Sequence, residues 1–217
     1  MRKETYEKLE VLAVKYKGYM RTAELLEEGV TNHQIANLVD EGKMEIVSTG
    51  IYWIPNNEII KPENYKMIEA SFINPNSVIC AESACYYWGM VRREPISLTF
   101  ATKMSDKTIM SMNFPASRHY FVDKHFYEDC QEVETDYGPM KVYSMDRSVC
   151  ECIYLKDSIR KDTYEDIIAS YVKNPEKDLD VLYKHAAYLK IEDKVKDEIR
   201  DTEHEETVEI TRRRRGR

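Results

Sequence analysis

Four side chains within six residues, Asn32, His33, Gln34 and Asn37, carry the strongest chemical signal in the chain. An Asn or Gln amide presents a donor and an acceptor side by side and can pair with both groups of an adenine edge in the DNA major groove. The spacing places these four around one helix. Ile35, Leu38 and Val39 form an apolar i, i+3, i+4 stripe, and at about 100° per residue His33 and Asn37 lie opposite it, with Gln34 on the flank and Asn32 in the first turn. Arg21 and Lys43 are the nearby cations. Thr22 and Thr31 stand where two short helices begin, so backbone N–H groups there can hold a phosphate. Ser48, Thr49 and Tyr52 lie in the hairpin that follows. Together these residues form a candidate set of contacts to double-stranded DNA.

No comparable constellation points to catalysis. Cys150 and Cys152 stand two apart on an expected helix, about 200° from each other, and cannot share a tetrahedral metal from that element. Glu132, Glu134 and Asp136 alternate as the carboxylates of some metal-dependent nucleases do, but Lys141 follows Gly138-Pro139 and does not stand two residues beyond a strand acid; a solvated edge is expected. His119 and His125 have no serine elbow, glycine-rich phosphate loop or Cys-His signature beside them. The expectation is a protein that is not an enzyme and needs no metal or other cofactor.

The elements that must hold the candidate contacts follow from composition and periodicity. The chain has 217 residues, 33 % charged and 42 % hydrophobic, with seven Gly and seven Pro. That balance disfavours both disorder and a turn-rich β-sandwich, and the length suits two domains. No uncharged stretch exceeds twelve residues, the length of 46–57, whereas a transmembrane helix needs roughly 18. Neither a membrane span nor a secretory signal is expected, and the location reads as cytoplasmic. The five cysteines read as free thiols. A net charge of −7 argues against coating nucleic acid through bulk positive charge. Residues 1–60 hold seven Lys or Arg against ten Asp or Glu, so phosphate attraction rests on few groups and non-specific affinity is weak.

Tyr6, Leu9, Leu12, Ala13 and Tyr16 recur at helical spacing up to Gly18, and Tyr19-Met20 suits a short strand. Thr22 is the expected N-cap of a short helix stopped by Gly29; Thr31 caps the next, which Gly42 ends. Two β-rich runs, 44–47 and 51–54, joined by Ser48-Thr49-Gly50, read as a hairpin with glycine where a positive φ is needed. Three helices and a hairpin in this order predict a winged helix-turn-helix. Pro55, Asn56, Asn57 and Pro62 mark a linker. Beyond it, helical patterns at 65–72 and 81–90, β-type runs at 96–102, 120–122 and 140–144, and helices from 146 onward predict a second, helix-rich α+β domain, with Asp162 and Glu165 placed as a capping-box start. The fold class is α+β: a winged helix-turn-helix at 1–60, the second domain at 61–200 and a charged tail at 201–217 that closes on Arg212-Arg213-Arg214-Arg215-Gly216-Arg217.

A resemblance to a known family rests on these same residues. Tyr19-Met20-Arg21-Thr22-Ala23-Glu24-Leu25-Leu26, Thr31-Asn32-His33-Gln34-Ile35, Leu38-Val39-Asp40-Glu41-Gly42-Lys43 and Gly50-Ile51-Tyr52 resemble the N-terminal winged helix of the AbiEi-type antitoxins of bacterial abortive-infection systems. Ile79-Cys80-Ala81-Glu82-Ser83-Ala84, Tyr87-Trp88-Gly89, Ser97-Leu98-Thr99-Phe100-Ala101, Asp146-Arg147-Ser148-Val149-Cys150-Glu151 and Asp178-Leu179-Asp180 resemble that family's antitoxin domain. The match runs in order through most of residues 5–195. It implies an antitoxin that represses its own operon by binding inverted repeats in the promoter and counteracts a nucleotidyltransferase-like toxin encoded beside it, as part of phage defence. In the wing turn, where family members often carry a basic residue, this chain has Ser48-Thr49. The other reading is a general winged-helix transcriptional regulator whose second domain senses a ligand or a protein partner.

Overall fold

A computed structural model describes residues 3–200 and 202; the arginine-rich end of the tail lies outside the described residues. The chain is mixed α+β and divides into two compact units. The first comprises the chain up to Asn76 together with Lys107–Pro115 and Val133–Met140; the second comprises Ser77–Asp106, Ala116–Glu132 and the chain from Lys141 onward. No helix among the described residues is long and apolar enough to cross a membrane.

In the first unit the order is α1 (Lys3–Lys15), β1 (Tyr19–Arg21), α2 (Thr22–Glu27), α3 (Asn32–Asp40), β2 (Glu45–Ser48), β3 (Ile51–Trp53) and α4 (Tyr65–Ile73). The strands form an antiparallel sheet in the order β1-β3-β2, with Met20 opposite Tyr52 and Tyr19 opposite Trp53. This order and sheet are compatible with a winged helix. Because side chains alternate along a strand, the sheet is apolar on both faces. Met20 joins Leu9, Leu12, Leu25, Ile35 and Leu38 of the three helices in one buried cluster, and Tyr52 packs half-buried against it. Tyr19, Ile51 and Trp53 face the other way and pack with Val47 and with Ile68 of α4.

Two glycines are required by the backbone. Gly18 has φ +87°, and a Cβ there would come within 2.3 Å of the Trp53 ring. Gly50, φ +73°, makes the β2–β3 turn, as its place in the hairpin predicts. Thr22 is not the cap expected of it. The helix begins one residue earlier than that reading needs: Arg21 is the N-cap of α2, Thr22 is its first helical residue, and Glu24 reaches back to accept from the Arg21 N–H at 2.6 Å, as the third helical residue does in a capping box. The segment 107–115 crosses the outer edge of the sheet, where the Asn113 amide donates to the Ile46 carbonyl of β2 and Phe114 meets Tyr65 edge-on.

The second unit is built from β4 (Val78–Ile79), α5 (Ala81–Tyr87), β5 (Leu98–Lys103), β6 (Ala116–Phe121), the outer ends of β7 (Cys130–Thr135) and β8 (Gly138–Tyr143), whose turn ends at Val133–Met140 are counted with the first unit, α6 (Met145–Tyr154), α7 (Lys161–Lys173) and α8 (Leu179–Leu189), with residues 192–200 again helical. The sheet order is β6-β5-β4-β8-β7. Strand β4 pairs antiparallel with β5 and parallel with β8, and β5 pairs parallel with β6. The helices bury Cys85, Val149, Cys152, Ile153, Ile167 and Leu182 over it. The strand expected at 120–122 starts earlier, at Ala116, and β4 was not anticipated. Asp162 and Glu165 form no capping box: Asp162 accepts from Thr163 N and pairs with Arg160, while Glu165 pairs with Lys161. All five cysteines are free, with the Cys85 and Cys152 sulfurs 3.7 Å apart in the core.

Candidate nucleic-acid interface

Helix α3 exists because its apolar stripe has a core to enter and its first turn is closed. Ile35 and Leu38 are 4 % and 0 % exposed. Thr31 Oγ1 accepts from Gln34 N at 3.3 Å, and Gln34 Oε1 accepts from Thr31 N at 2.9 Å, a complete capping box. Asn32, His33 and Ala36 point to solvent, and Asn37 is half-buried. The Asn37 amide nitrogen stands 3.3 Å from His33 Nε2.

The structure thus separates the expected readers. Asn32, His33 and Asn37 form an open polar face on α3. Gln34 and Thr31 are occupied with each other, and Gln34 Nε2 also reaches Thr5 Oγ1 at 3.5 Å. Lys43 is exposed after the Gly42 turn, its N–H held by the Leu38 carbonyl at 2.8 Å.

A second group gathers at the hairpin. Thr22 N donates to the Gly50 carbonyl at 2.9 Å, which pins the turn carrying Ser48 and exposed Thr49 to the start of α2. Arg21 pairs across the sheet with Ile51. Its guanidinium is exposed and donates to the Phe72 carbonyl at 3.1 Å. Tyr52 serves the core more than the surface. Near α3, Asp40 is exposed and Glu41 accepts from the Tyr6 hydroxyl at 2.6 Å, so carboxylates as well as cations stand close to this face.

Elsewhere the weaker constellations resolve into structure. Lys141 pairs with Glu132 at 3.3 Å, while Asp136 lies in the turn after β7 and pairs with Lys17 at 3.2 Å. No group of three or more His, Cys, Asp or Glu suited to a metal occurs among the described residues. His119 lies on β6, where burial pushes its pKa down. His125 belongs to a cluster that sequence reasoning missed. Its Nδ1 lies 2.6 Å from Glu128 Oε1 and its ring stacks on Tyr188 with centroids 3.9 Å apart. One residue on, Asp129 accepts from His185 Nε2 at 2.7 Å and pairs with Lys184 at 2.5 Å. Two buried charges lie beside this turn. Arg147 donates through Nη1 to the carbonyls of His125, Phe126 and Glu128 and through Nε to Glu151 at 3.0 Å, and Glu151 accepts the Ala81 N–H at 3.1 Å. Burial raises the Glu151 pKa against the pull of Arg147. Through Arg147, Glu151 and His185 this network ties α6, α8 and the start of α5 to the turn at 125–129.

No family model and no curated protein matches the chain. The crystal structure of the RV2827C protein from Mycobacterium tuberculosis is similar in fold, with a TM-score of 0.63 at 12 % sequence identity over 84 % of this chain and 71 % of that one.

Proposed function

We propose that this chain is a DNA-binding antitoxin and transcriptional autorepressor of the bacterial cytoplasm, without catalytic activity of its own. It would bind inverted repeats in its promoter through the first unit and counteract a nucleotidyltransferase-like toxin. The observation that carries the DNA-binding half is the open face of α3: Asn32, His33 and Asn37 point away from a buried Ile35–Leu38 stripe, on a helix that follows the short helix α2 and precedes a hairpin pinned to that helix by Thr22. Side chains of this type at the start of a recognition helix are those that bond base edges. The toxin-opposing half is supported by the sequence resemblance.

The test uses the full chain with Asn32, His33 and Asn37 exchanged for alanine and Gln34 retained, so that the cap survives. Promoter binding followed by fluorescence anisotropy is expected to be lost, at roughly 1–3 kcal/mol for each bidentate contact removed, with circular dichroism unchanged. The same variant is expected to rescue cells from the toxin while failing to repress. Parent-like affinity for the promoter would show that α3 is not the reader. Rescue lost together with repression would tie the two activities to one surface.

A further inference from the structure

The first unit contains a cleft of about 310 Å³ that neither the DNA-binding reading nor the core accounts for. Its floor is buried Tyr19, which meets Phe72 and Tyr137 edge-on with ring centroids 5.0 and 5.3 Å away. Phe72, Tyr137 and Tyr16 are half-buried and leave ring surface open to the cleft. Three cations line it. Lys15 is paired with Glu28, and Lys17 with Asp136 at 3.2 Å. Arg21 has no carboxylate partner among the described residues: it is bonded to the Phe72 carbonyl, with its guanidinium carbon 6.0 Å from the Phe72 ring. Glu24, the remaining carboxylate of the lining, is committed to the Arg21 backbone N–H.

We infer that this cleft binds a small aromatic carboxylate, with its ring against the aromatic walls and its carboxylate on the Arg21 fork. A guanidinium matches a carboxylate through two parallel hydrogen bonds, and rings offered edge-on or offset favour an aromatic guest over an aliphatic one. The volume lies at the small end of the roughly 300–1,000 Å³ typical of ligand sites, which suits one ring or two fused rings. Arg21 is also a candidate phosphate contact beside the β2–β3 turn. An occupied cleft would therefore withdraw that cation from DNA and weaken repression; this regulatory half rests on the DNA-binding reading, and the binding half does not.

Salicylate is the probe, titrated into the full chain while backbone amide shifts of Gly18, Arg21 and Phe72 are followed. Saturation in the millimolar range is expected, with benzyl alcohol, which lacks the charge, and acetate, which lacks the ring, each weaker by about tenfold. Arg21→Gln is expected to weaken salicylate binding by about tenfold. Tyr137→Leu is expected to weaken it too, while the affinity for promoter DNA stays at the parent's value; Phe72→Leu serves as a second variant if the first loses its fold by circular dichroism. Saturating salicylate should raise the Kd of the parent for promoter DNA several-fold and leave that of Tyr137→Leu unchanged. Shifts that never saturate, or equal binding by Arg21→Gln, would overturn the site while operator binding stands. Arg21-dependent salicylate binding with an unaltered Kd for DNA would overturn the regulatory half alone.

Discussion

On α3 the Asn37 amide nitrogen lies 3.3 Å from His33 Nε2, one helical turn away on the polar side of the helix. With the amide donating, Nε2 is the acceptor and the ring proton sits on Nδ1. The pair holds both side chains in one arrangement in the free chain, so under the proposed DNA binding their contributions should couple. His33→Ala and Asn37→Ala are each expected to cost roughly 1–3 kcal/mol of promoter affinity, and the double variant less than the sum, with a coupling of at least about 0.5 kcal/mol. A double-mutant cycle by anisotropy measures it; strict additivity would show two independent contacts.

Thr31 and Gln34 should register in stability before they register in binding. Each satisfies one of the backbone donors at the start of α3, and losing a cap of this kind costs about 1 kcal/mol. Thr31→Ala and Gln34→Ala are expected to lower the urea midpoint accordingly, and Asn32→Ala to leave it unmoved. A midpoint that shifts equally for all three would remove the distinction between cap and reader.

Glu151 sits under the second unit with 2 % exposure, held by Arg147, whose side chain is 5 % exposed. Removing one member of such a pair strands the other in an apolar surrounding, at a cost of about 3–5 kcal/mol. Glu151→Ala is expected to destabilise by that amount. Glu151→Gln should recover part of it, because an amide oxygen still accepts the Ala81 N–H, whose residue has the left-handed φ of +43°. Equal unfolding curves for Glu151→Ala and the parent would mean that the pair contributes nothing.

Acid should loosen the second unit through His185. Burial lowers the pKa of this 4 %-exposed imidazole below its ordinary value, with nearby Arg147 and Lys184 acting in the same sense and Asp129 opposing them. Both members of the His185–Asp129 pair are shifted down: burial prevails at His185, whereas at Asp129 the hydrogen bonds from Lys184 and His185 outweigh burial. Below the unfolded value of about 6.5 the unfolded chain therefore binds the proton first, and stability falls with pH until the folded pKa is passed. Asp129 adds a second loss only below about pH 4, as pH falls through its depressed folded pKa. Urea unfolding between pH 7 and 5 is expected to show the first loss in the parent and a flatter profile in His185→Gln; identical slopes would place the titrating group elsewhere.

What sequence could reveal followed the range of the interaction. Thr31, Gly42 and Gly50 act within a few residues, and their roles were legible from type and spacing. Thr22 misled because α2 begins one residue earlier, with Arg21 as its N-cap. The two-residue strand Val78–Ile79 has no local period to detect; it is defined by partners at Phe100 and Val142. Nothing in the local pattern marks Glu69, Arg147 and Glu151 as buried, because their partners come from elsewhere in the fold or depend on its packing. Glu69 is in fact 2 % exposed, accepting from Tyr19 at 2.8 Å and Lys61 at 2.7 Å. At the candidate interface the polar face was legible, and so in principle was the diversion of Gln34, because Thr31-x-x-Gln34 is the spacing of a capping box.

The Asn113 amide on the Ile46 carbonyl bears on colloidal behaviour. Strand β2 ends the three-stranded sheet, and an end strand offers unpaired backbone groups to any other chain. Here residues 107–115 take up part of that edge, and the register shift between Ile46 and Ser48 breaks its regular ladder. A flat, repeating template for intermolecular strand addition is absent from this edge, so the β2 side of this small apolar sheet does not invite fibrils.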